Sequence, residues 1–440
     1  MEELYLTIIF VFVLFLLLGT GVWVALALLG VAVVGMELFT TRPAGDTMIT
    51  TIWSSSSSWT LTALPLFIWM GEILFRTRLS EDMFKGLAPW MARLPGGLLH
   101  TNIVGCTIFA AVSGSSAATL TTVGKMSIPE LRKRGYSEFM TIGTLAGAAT
   151  LGLMIPPSLA LIVYGVTINE SISKLFMAGV LPGLTLAGMF MAYVVAWHYL
   201  FPSKRPEPEP KTSLRERLYA SRFLIPVLML ITLVIGSMYL GYATATEAAA
   251  FGVLGSLTMA LLQRSLTLET FSASLMGAVR TSTMVAFILM GAAFLALAMG
   301  FTGLPRALAA WIAEQNFTVY QLIAALTLFY IVIGCFLDGI SSIVLTMAIV
   351  EPMVNIPAFR EMGFDMIWFG IFVVIVVEMA QITPPIGFNL FVMQGLTKHE
   401  MGYIAKTAFP MFLIMVLMVV VMVMVPDLAT WLPESMRNSP

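Results

Sequence analysis

Charge is what this chain has least of. Only 11% of its 440 residues are Asp, Glu, Lys or Arg, against 59% that are hydrophobic. A water-soluble protein carries about 25% charged residues. With a mean hydropathy of +0.93, the solvent for most of this surface has to be lipid. A net charge of -1 argues against nucleic acid as a partner, because that needs a basic face. Cysteine is almost absent: Cys106 and Cys335 both lie in apolar segments and have no spacing for a disulfide framework or a metal. His100, His198 and His399 are far apart in sequence and read as interfacial or structural side chains. Motifs of common enzyme chemistry are missing too. There is no Gly-Lys-Ser/Thr phosphate loop, so ATP is not the drive. There is no His-Glu-x-x-His, and no serine in a Gly-x-Ser-x-Gly setting with a triad partner. Ser113-Gly114-Ser115-Ser116 alone resembles a nucleophile loop, and it has no adjacent base. The first apolar run starts almost at Met1 without a basic lead and outruns a signal h-region, so no cleavable signal is expected.

What the chain has is long apolar stretches. A membrane helix needs about 20 mostly apolar residues. Such stretches occupy 4–20, 22–39, 60–76, 175–200, 223–241, 246–263, 281–300 and 407–426. Two more, 137–169 and 366–397, are each interrupted by a double proline. Proline removes a backbone donor, so each reads as one crossing made of two half-helices, and the total is about ten crossings. Segments 96–125 and 318–350 are apolar but carry small polar residues near their middles, Ser113–Ser116 and Asp338–Ser342. Stretches 81–91, 267–278 and 304–315 mix apolar and charged residues and are expected along the interface. The serine run Ser54–Ser58, bracketed by Trp53 and Trp59, reads as an interfacial segment before a span.

The two halves repeat. At a shift of 220, Gly21 falls on Gly241 and Leu66–Gly71 on Ala286–Gly291. Further on, at 228, Gly135 lands on Gly363, Pro156-Pro157 on Pro384-Pro385, and Pro182 on Pro410; the pair Ser115-Ser116 lands on Ser341-Ser342 at 226. This order of matches indicates duplication. Residues 1–200 then form a first repeat, 201–222 a linker, and 223–440 a second repeat.

Charge separates the copies. Arg76, Arg78, Lys85 and Arg93 precede the first punctuated segment, and Lys125 and Arg132-Lys133-Arg134 follow it. The matching loops of the second copy hold only Arg306 and Arg360, balanced by Glu314, Glu351, Glu361 and Asp365. The positive-inside rule puts the first set in the cytoplasm and the second outside. Both flanks of each segment fall on one side, so the segments are re-entrant hairpins. Lys204–Arg222, with six basic and three acidic residues, is expected in the cytoplasm and both termini outside. Inverted halves of this kind are the architecture of many secondary transporters.

Irregular backbone at membrane depth survives only if buried in protein or lining a wet cavity. The two hairpin tips and the two proline breaks are such places, paired as Ser113–Ser116 with Gly152–Ser158 and Asp338–Ser342 with Ala380–Gly387. Carbonyls freed at a break, together with hydroxyls, suit a hard cation. Half-helix N-termini and hydroxyls suit a carboxylate. Each half thus has the parts for one cation site, with an anion between the tips; Ser115, Ser341, Ser342 and Asn389 are the candidate substrate contacts. Asp338 either binds a cation or caps its hairpin. Asn389 either reaches substrate or bonds between helices. Glu72, Glu247 and Glu378 also sit in apolar segments, either solvated or functional.

Five stretches then carry a family resemblance: Val112–Ala118, Ile155–Ser158, Ala243–Ala250, Phe336–Gly339 and Thr383–Val392. In this order and spacing, across essentially the whole chain, the sequence resembles the large membrane subunit (DctM-like) of a tripartite ATP-independent periplasmic (TRAP) transporter, of the ion transporter superfamily. The resemblance implies an all-α, inverted-repeat, elevator-type membrane protein, with a transport domain carrying both hairpins against a fixed scaffold. It also implies a bacterial inner-membrane location, a separate small four-helix membrane subunit, a periplasmic substrate-binding protein, an organic-anion substrate, and no cofactor beyond two coupling Na+ ions. Carried over by position, Ser113, Ser116, Gly152, Ile155 and Pro157 would hold one sodium, and Gly339, Ala380, Thr383 and Ile386 the other. Similar proteins have a hydroxyl residue where this one has Ala380, so only its carbonyl can serve. Two alternatives stand beside this reading: a stand-alone sodium/divalent-anion symporter, and a membrane-embedded enzyme acting on a lipid-linked substrate. A passive channel lacks its rings of charge.

Overall fold

The computed structural model describes residues 2–204, 212–303, 310, 315, 317–385 and 387–436. Most of the expected segment 304–315, part of the linker and Ile386 lie outside the described residues. Among the described residues all regular structure is helical.

Among the described residues, four helices are long and apolar enough to cross a membrane alone: Ile172–Leu200, Ala245–Leu262, Leu268–Thr302 and Met401–Met424. Two bent pairs raise the number to six, Ala44–Ser56 with Trp59–Phe75 at 58° and Leu214–Ser221 with Ile225–Tyr239 at 54°. Shorter apolar segments form helices of 10–17 residues, and apart from Val24–Phe39 these are hairpin arms or the halves of broken helices.

Several boundaries differ from expectation for local reasons. Residues 267–278 do not lie apart at an interface; they open the continuous 35-residue helix Leu268–Thr302, which Thr267 starts by accepting from the Thr270 amide. The span expected at 60–76 begins earlier, as Ala44–Ser56, and the serine run forms its bend. There the hydroxyls turn back onto their own helix, Ser54 Oγ donating to the Thr51 carbonyl at 3.0 Å, a habit that competes with straight helix. The linker is not uniformly irregular. Ser213 and Glu216 make a capping box that starts helix Leu214–Ser221. This short helix packs on the amphipathic helix Leu79–Met91, with Trp90 Nε1 donating to Ser221 Oγ at 2.9 Å.

Matched positions of the repeat share backbone geometry. Gly21 and Gly241 have φ of 81° and 72°, and Gly135 and Gly363 have 72° and 81°, a left-handed region that glycine enters without a Cβ penalty. Packing is also reciprocal. Helix Ser116–Lys133 of the first hairpin lies against Phe388–Thr397, beyond the second break, while Gly339–Val354 of the second hairpin lies against Leu159–Ile168, beyond the first. Helices Glu138–Ala149 and Met366–Gln381 likewise pack on Met401–Met424 and Ile172–Leu200, respectively, of the other half. The densest core runs through this exchange, with every residue from 140 to 165 and from 368 to 382 buried.

Candidate functional site

The first hairpin turns at its tip because Gly114 takes a left-handed φ of 59° and ends helix Leu99–Ser113, its N–H bonding the Ala110 carbonyl. Ser115 then caps helix Ser116–Lys133 by accepting from the Ala118 amide at 3.4 Å. Ser113 Oγ sits 2.9 Å from Thr119 Oγ1, and Thr119 donates to the Ser115 carbonyl at 2.8 Å. The tip is therefore a knot of hydroxyls and carbonyls.

The first break meets this tip directly. Helix Glu138–Ala149 tightens to a 3-10 turn over Thr150–Leu153 and ends before Pro156-Pro157. Ser158 starts the next helix by accepting from the Leu161 amide at 3.3 Å, while its hydroxyl donates to the Leu153 carbonyl. The Leu159 amide donates across to the Gly114 carbonyl at 3.3 Å. A Cβ at Gly152 would stand 2.6 Å from the Ser115 carbonyl oxygen and from Ser116 Cα, and one at Gly114 would stand 2.8 Å from the Pro157 carbonyl oxygen. Ser113, Ser116, Gly152 and Pro157 thus come together. Ile155 is adjacent, with its side chain turned toward Gly183 of helix Ile172–Leu200.

In the second half the tie is made by side chains. Asp338 caps helix Gly339–Val354, accepting from the Ile340 and Ser341 amides at 3.1 and 3.2 Å and from the Ser341 hydroxyl. Its capping role is therefore visible in the geometry. Helix Met366–Gln381 ends at the second break, where Gln381 donates to the Leu337 and Gly334 carbonyls at 3.2 and 3.4 Å. Cys335 Sγ lies 3.4 Å from the Pro384 carbonyl. Thr383 Oγ1 donates to the Met379 carbonyl at 2.7 Å, and a Cβ at Gly334 would touch Ala380 Cβ at 2.6 Å. Gly339 faces Leu153 of the first break and Val377, so the second tip touches both breaks.

The N-caps Ser115 and Asp338 correspond at a shift of 223, not 226. The serine pairs therefore sit about one turn apart along their helices. Ser341 is held by Asp338, whereas the buried Ser342 hydroxyl and both amide atoms of Asn389 have no hydrogen-bond partner among the described residues. Two of the other acids are accounted for structurally: Glu72 pairs with Arg76, and Glu247 completes a capping box with Thr244. Sequence reasoning passed over Gln381. Its signal was an amide on the last residue of a helix apolar but for Glu378, next to a break.

These junctions are lined by oxygens and, among the described residues, pair no nucleophile with a base, which suits binding better than catalysis. The family profile described as "Tripartite ATP-independent periplasmic transporter, DctM component" matches residues 9–428. The chain belongs to the DctM family. It is thus the large permease of a TRAP transporter, a multi-pass membrane transport protein and not an enzyme, which removes the lipid-enzyme alternative. A C4-dicarboxylate TRAP transporter large permease of Rhodobacter capsulatus is 31% identical over 433 residues, covering 95% of this chain and 96% of that protein. Its counterpart in Pseudomonas aeruginosa is 31% identical, covering 87% and 88%. An isethionate TRAP transporter permease of Oleidesulfovibrio alaskensis, named DctMQ, is 30% identical over 94% of this DctM chain and 64% of that longer protein. Among solved structures, the YdaH transporter of Alcanivorax borkumensis superposes with a TM-score of 0.64 over 93% of this chain and 96% of that one. At 11% identity, that likeness concerns the fold.

Proposed function

We propose that this DctM chain imports a small organic anion, of the carboxylate or sulfonate kind, in symport with sodium. The observation that carries the reading is the junction in each half, where an amide of the broken helix donates to a carbonyl of the hairpin tip beside further carbonyls and hydroxyls. Sodium takes oxygen ligands of this type. The first site draws on Ser113, Ser116, Gly152, Ile155 and Pro157, and the second on Gly339, Ala380, Thr383 and Ile386. Bound cations offset the cost of bringing an anion to membrane depth. Relatives that take C4-dicarboxylates and isethionate support an anionic substrate, with Ser115, Ser341, Ser342 and Asn389 facing it.

The interlocked hairpins and breaks form one body, which slides as an elevator against a scaffold containing Val24–Phe39, Ala44–Phe75, Ala245–Leu262 and Leu268–Thr302. A periplasmic binding protein delivers the substrate, and a small membrane subunit completes the scaffold in the bacterial inner membrane. The name of the DctMQ relative supports such a pairing. With both partners reconstituted in proteoliposomes, uptake should require an inward sodium gradient; equal uptake on a proton gradient alone overturns the coupling.

A further inference from the structure

Arg217 is 5% exposed in the linker helix Leu214–Ser221, and a buried cation needs a partner. The partners it has are neutral. Its Nη2 donates to the Thr212 carbonyl at 3.0 Å, its guanidinium lies 5.8 Å from the Trp90 ring centre, and its Nε has no hydrogen-bond partner among the described residues. A second guanidinium shares the same carbonyl, with Arg93 Nη2 donating to Thr212 at 3.5 Å. Two like charges thus converge on one acceptor, and they repel. Neither forms an ion pair among the described residues. The nearest acid in sequence, Glu216, is taken up by the Ser213 amide at 2.7 Å. Arg93 is exposed, so an anion from outside can reach the pair.

The surroundings indicate its source. Helix Leu214–Ser221 turns by 54° from the apolar helix Ile225–Tyr239, off the line of the span. Its Leu214, Leu218 and Tyr219 are 61%, 60% and 63% exposed, and Leu214 and Leu218 share one side. Arg222 stacks 3.7 Å from the centre of the Tyr219 ring. Exposed apolar side chains beside arginines at the end of a span make an interfacial helix. At that level anionic lipids present phosphate, and arginine binds phosphate through paired N–H donors. We propose that Arg93 and Arg217 hold the phosphate of an anionic phospholipid headgroup. One phosphate between them turns repulsion into two charge-assisted contacts. It also clamps the linker onto Leu79–Met91, the helix that leads into the first hairpin. Nothing in this rests on the sodium reading.

The test is thermal melting of the full chain in detergent, titrated with phosphatidylglycerol, with net-neutral phosphatidylcholine and inorganic phosphate in parallel. Phosphatidylglycerol should raise the wild-type melting point saturably, and the other two should not at the same concentration. An equal response to phosphatidylcholine overturns the proposal, and an equal response to inorganic phosphate overturns the lipid as the source. For Arg93→Gln, the concentration giving half of the stabilisation should rise about tenfold or more, the worth of one charge-assisted hydrogen bond. Its lipid-free melting point should equal or exceed that of the wild type, since one of two like charges is gone. A lowered lipid-free melting point with an unchanged half-point would mean that Arg93 only props up Thr212, and the site would fall. Arg217→Lys keeps the charge without the planar fork and should also raise the half-point; no change refutes its part. Lys85 is exposed on the same helix Leu79–Met91 and pairs with Glu81 at 3.8 Å, so Lys85→Gln should leave the half-point alone. A shift there equal to that of Arg93→Gln would reduce the effect to general surface charge. Replacing Glu207 and Glu209 together by glutamine should leave the lipid-free melting point as it is; a fall would show that their carboxylates already serve the arginines, and would sink the proposal.

Discussion

Replacing Gly114 with alanine tests whether the first hairpin tip is seated on the first break. Two costs add at this position. The left-handed φ of 59° costs a residue with a Cβ about 1–2 kcal/mol. The new methyl group would also stand 2.8 Å from the Pro157 carbonyl oxygen, an overlap that forces a backbone shift and costs about 1–3 kcal/mol. Gly135 is the control. It has a φ of 72° but nothing within 4 Å of an added Cβ, so Gly135→Ala carries only the conformational part. Melting in detergent should show a clearly larger fall for Gly114→Ala, by the equivalent of about 1–3 kcal/mol. Sodium-dependent uptake should be lost in Gly114→Ala and nearly retained in Gly135→Ala. Equal falls in melting point, with equal uptake, would refute the seating of tip on break and with it the shared cation site.

The other predictions address the remaining parts of the two junctions. Ser113→Ala and Thr383→Ala should each shift the sodium activation curve to higher concentration while leaving the melting point in choline within a few degrees; unchanged curves in both remove these residues from the sites. Asp338→Asn should keep transport because asparagine caps as well, whereas Asp338→Ala should lose about 1 kcal/mol of local stability and transport with it; equal loss in both would point to the charge instead of the cap. Gln381→Leu removes two donors to the second hairpin, about 1 kcal/mol each, and should speed amide hydrogen exchange at 334–342 without altering 113–119. Unchanged exchange at 334–342 would mean that the side chain does not hold the tip.

Much of this architecture was legible because membrane depth restricts what a backbone can do. Double prolines and small polar tips inside apolar runs have few physical readings, and their repetition at a constant shift narrowed those further. Glycines matched by sequence turned out to share left-handed backbone, which is why those residues survive in both copies. Helix limits in the scaffold were less legible. Hydropathy does not tell an amphipathic surface stretch from the polar end of a long helix, so 267–278 read as separate from Leu268–Thr302. Ala44–Ser56 went unseen because Asp46 and its threonines and serines dilute its hydropathy; these hydroxyls bond back to their own helix, as Thr47 does to Pro43 and Thr51 to Thr47. The register of the serine pairs was off because capping, not residue identity, sets where each hairpin arm begins.

The duplicated halves have diverged at the same structural point, and the divergence is chemical. In the first half the tie between tip and break is backbone to backbone, Leu159 to Gly114, and Ser158 satisfies the start of the following helix. Residues 140–165 are closed off from solvent. In the second half the tie depends on Gln381 and Cys335, Gly387 starts the following helix without a side-chain cap, and Pro384 and Pro385 are exposed. Phe336, Phe388 and Phe391 around that break are 60%, 48% and 48% exposed. A side-chain tie of about 1 kcal/mol per bond can be broken and remade more readily than a packed backbone junction. The first junction is therefore the more rigid of the two, and the second the one whose tie to its hairpin is more readily broken and remade.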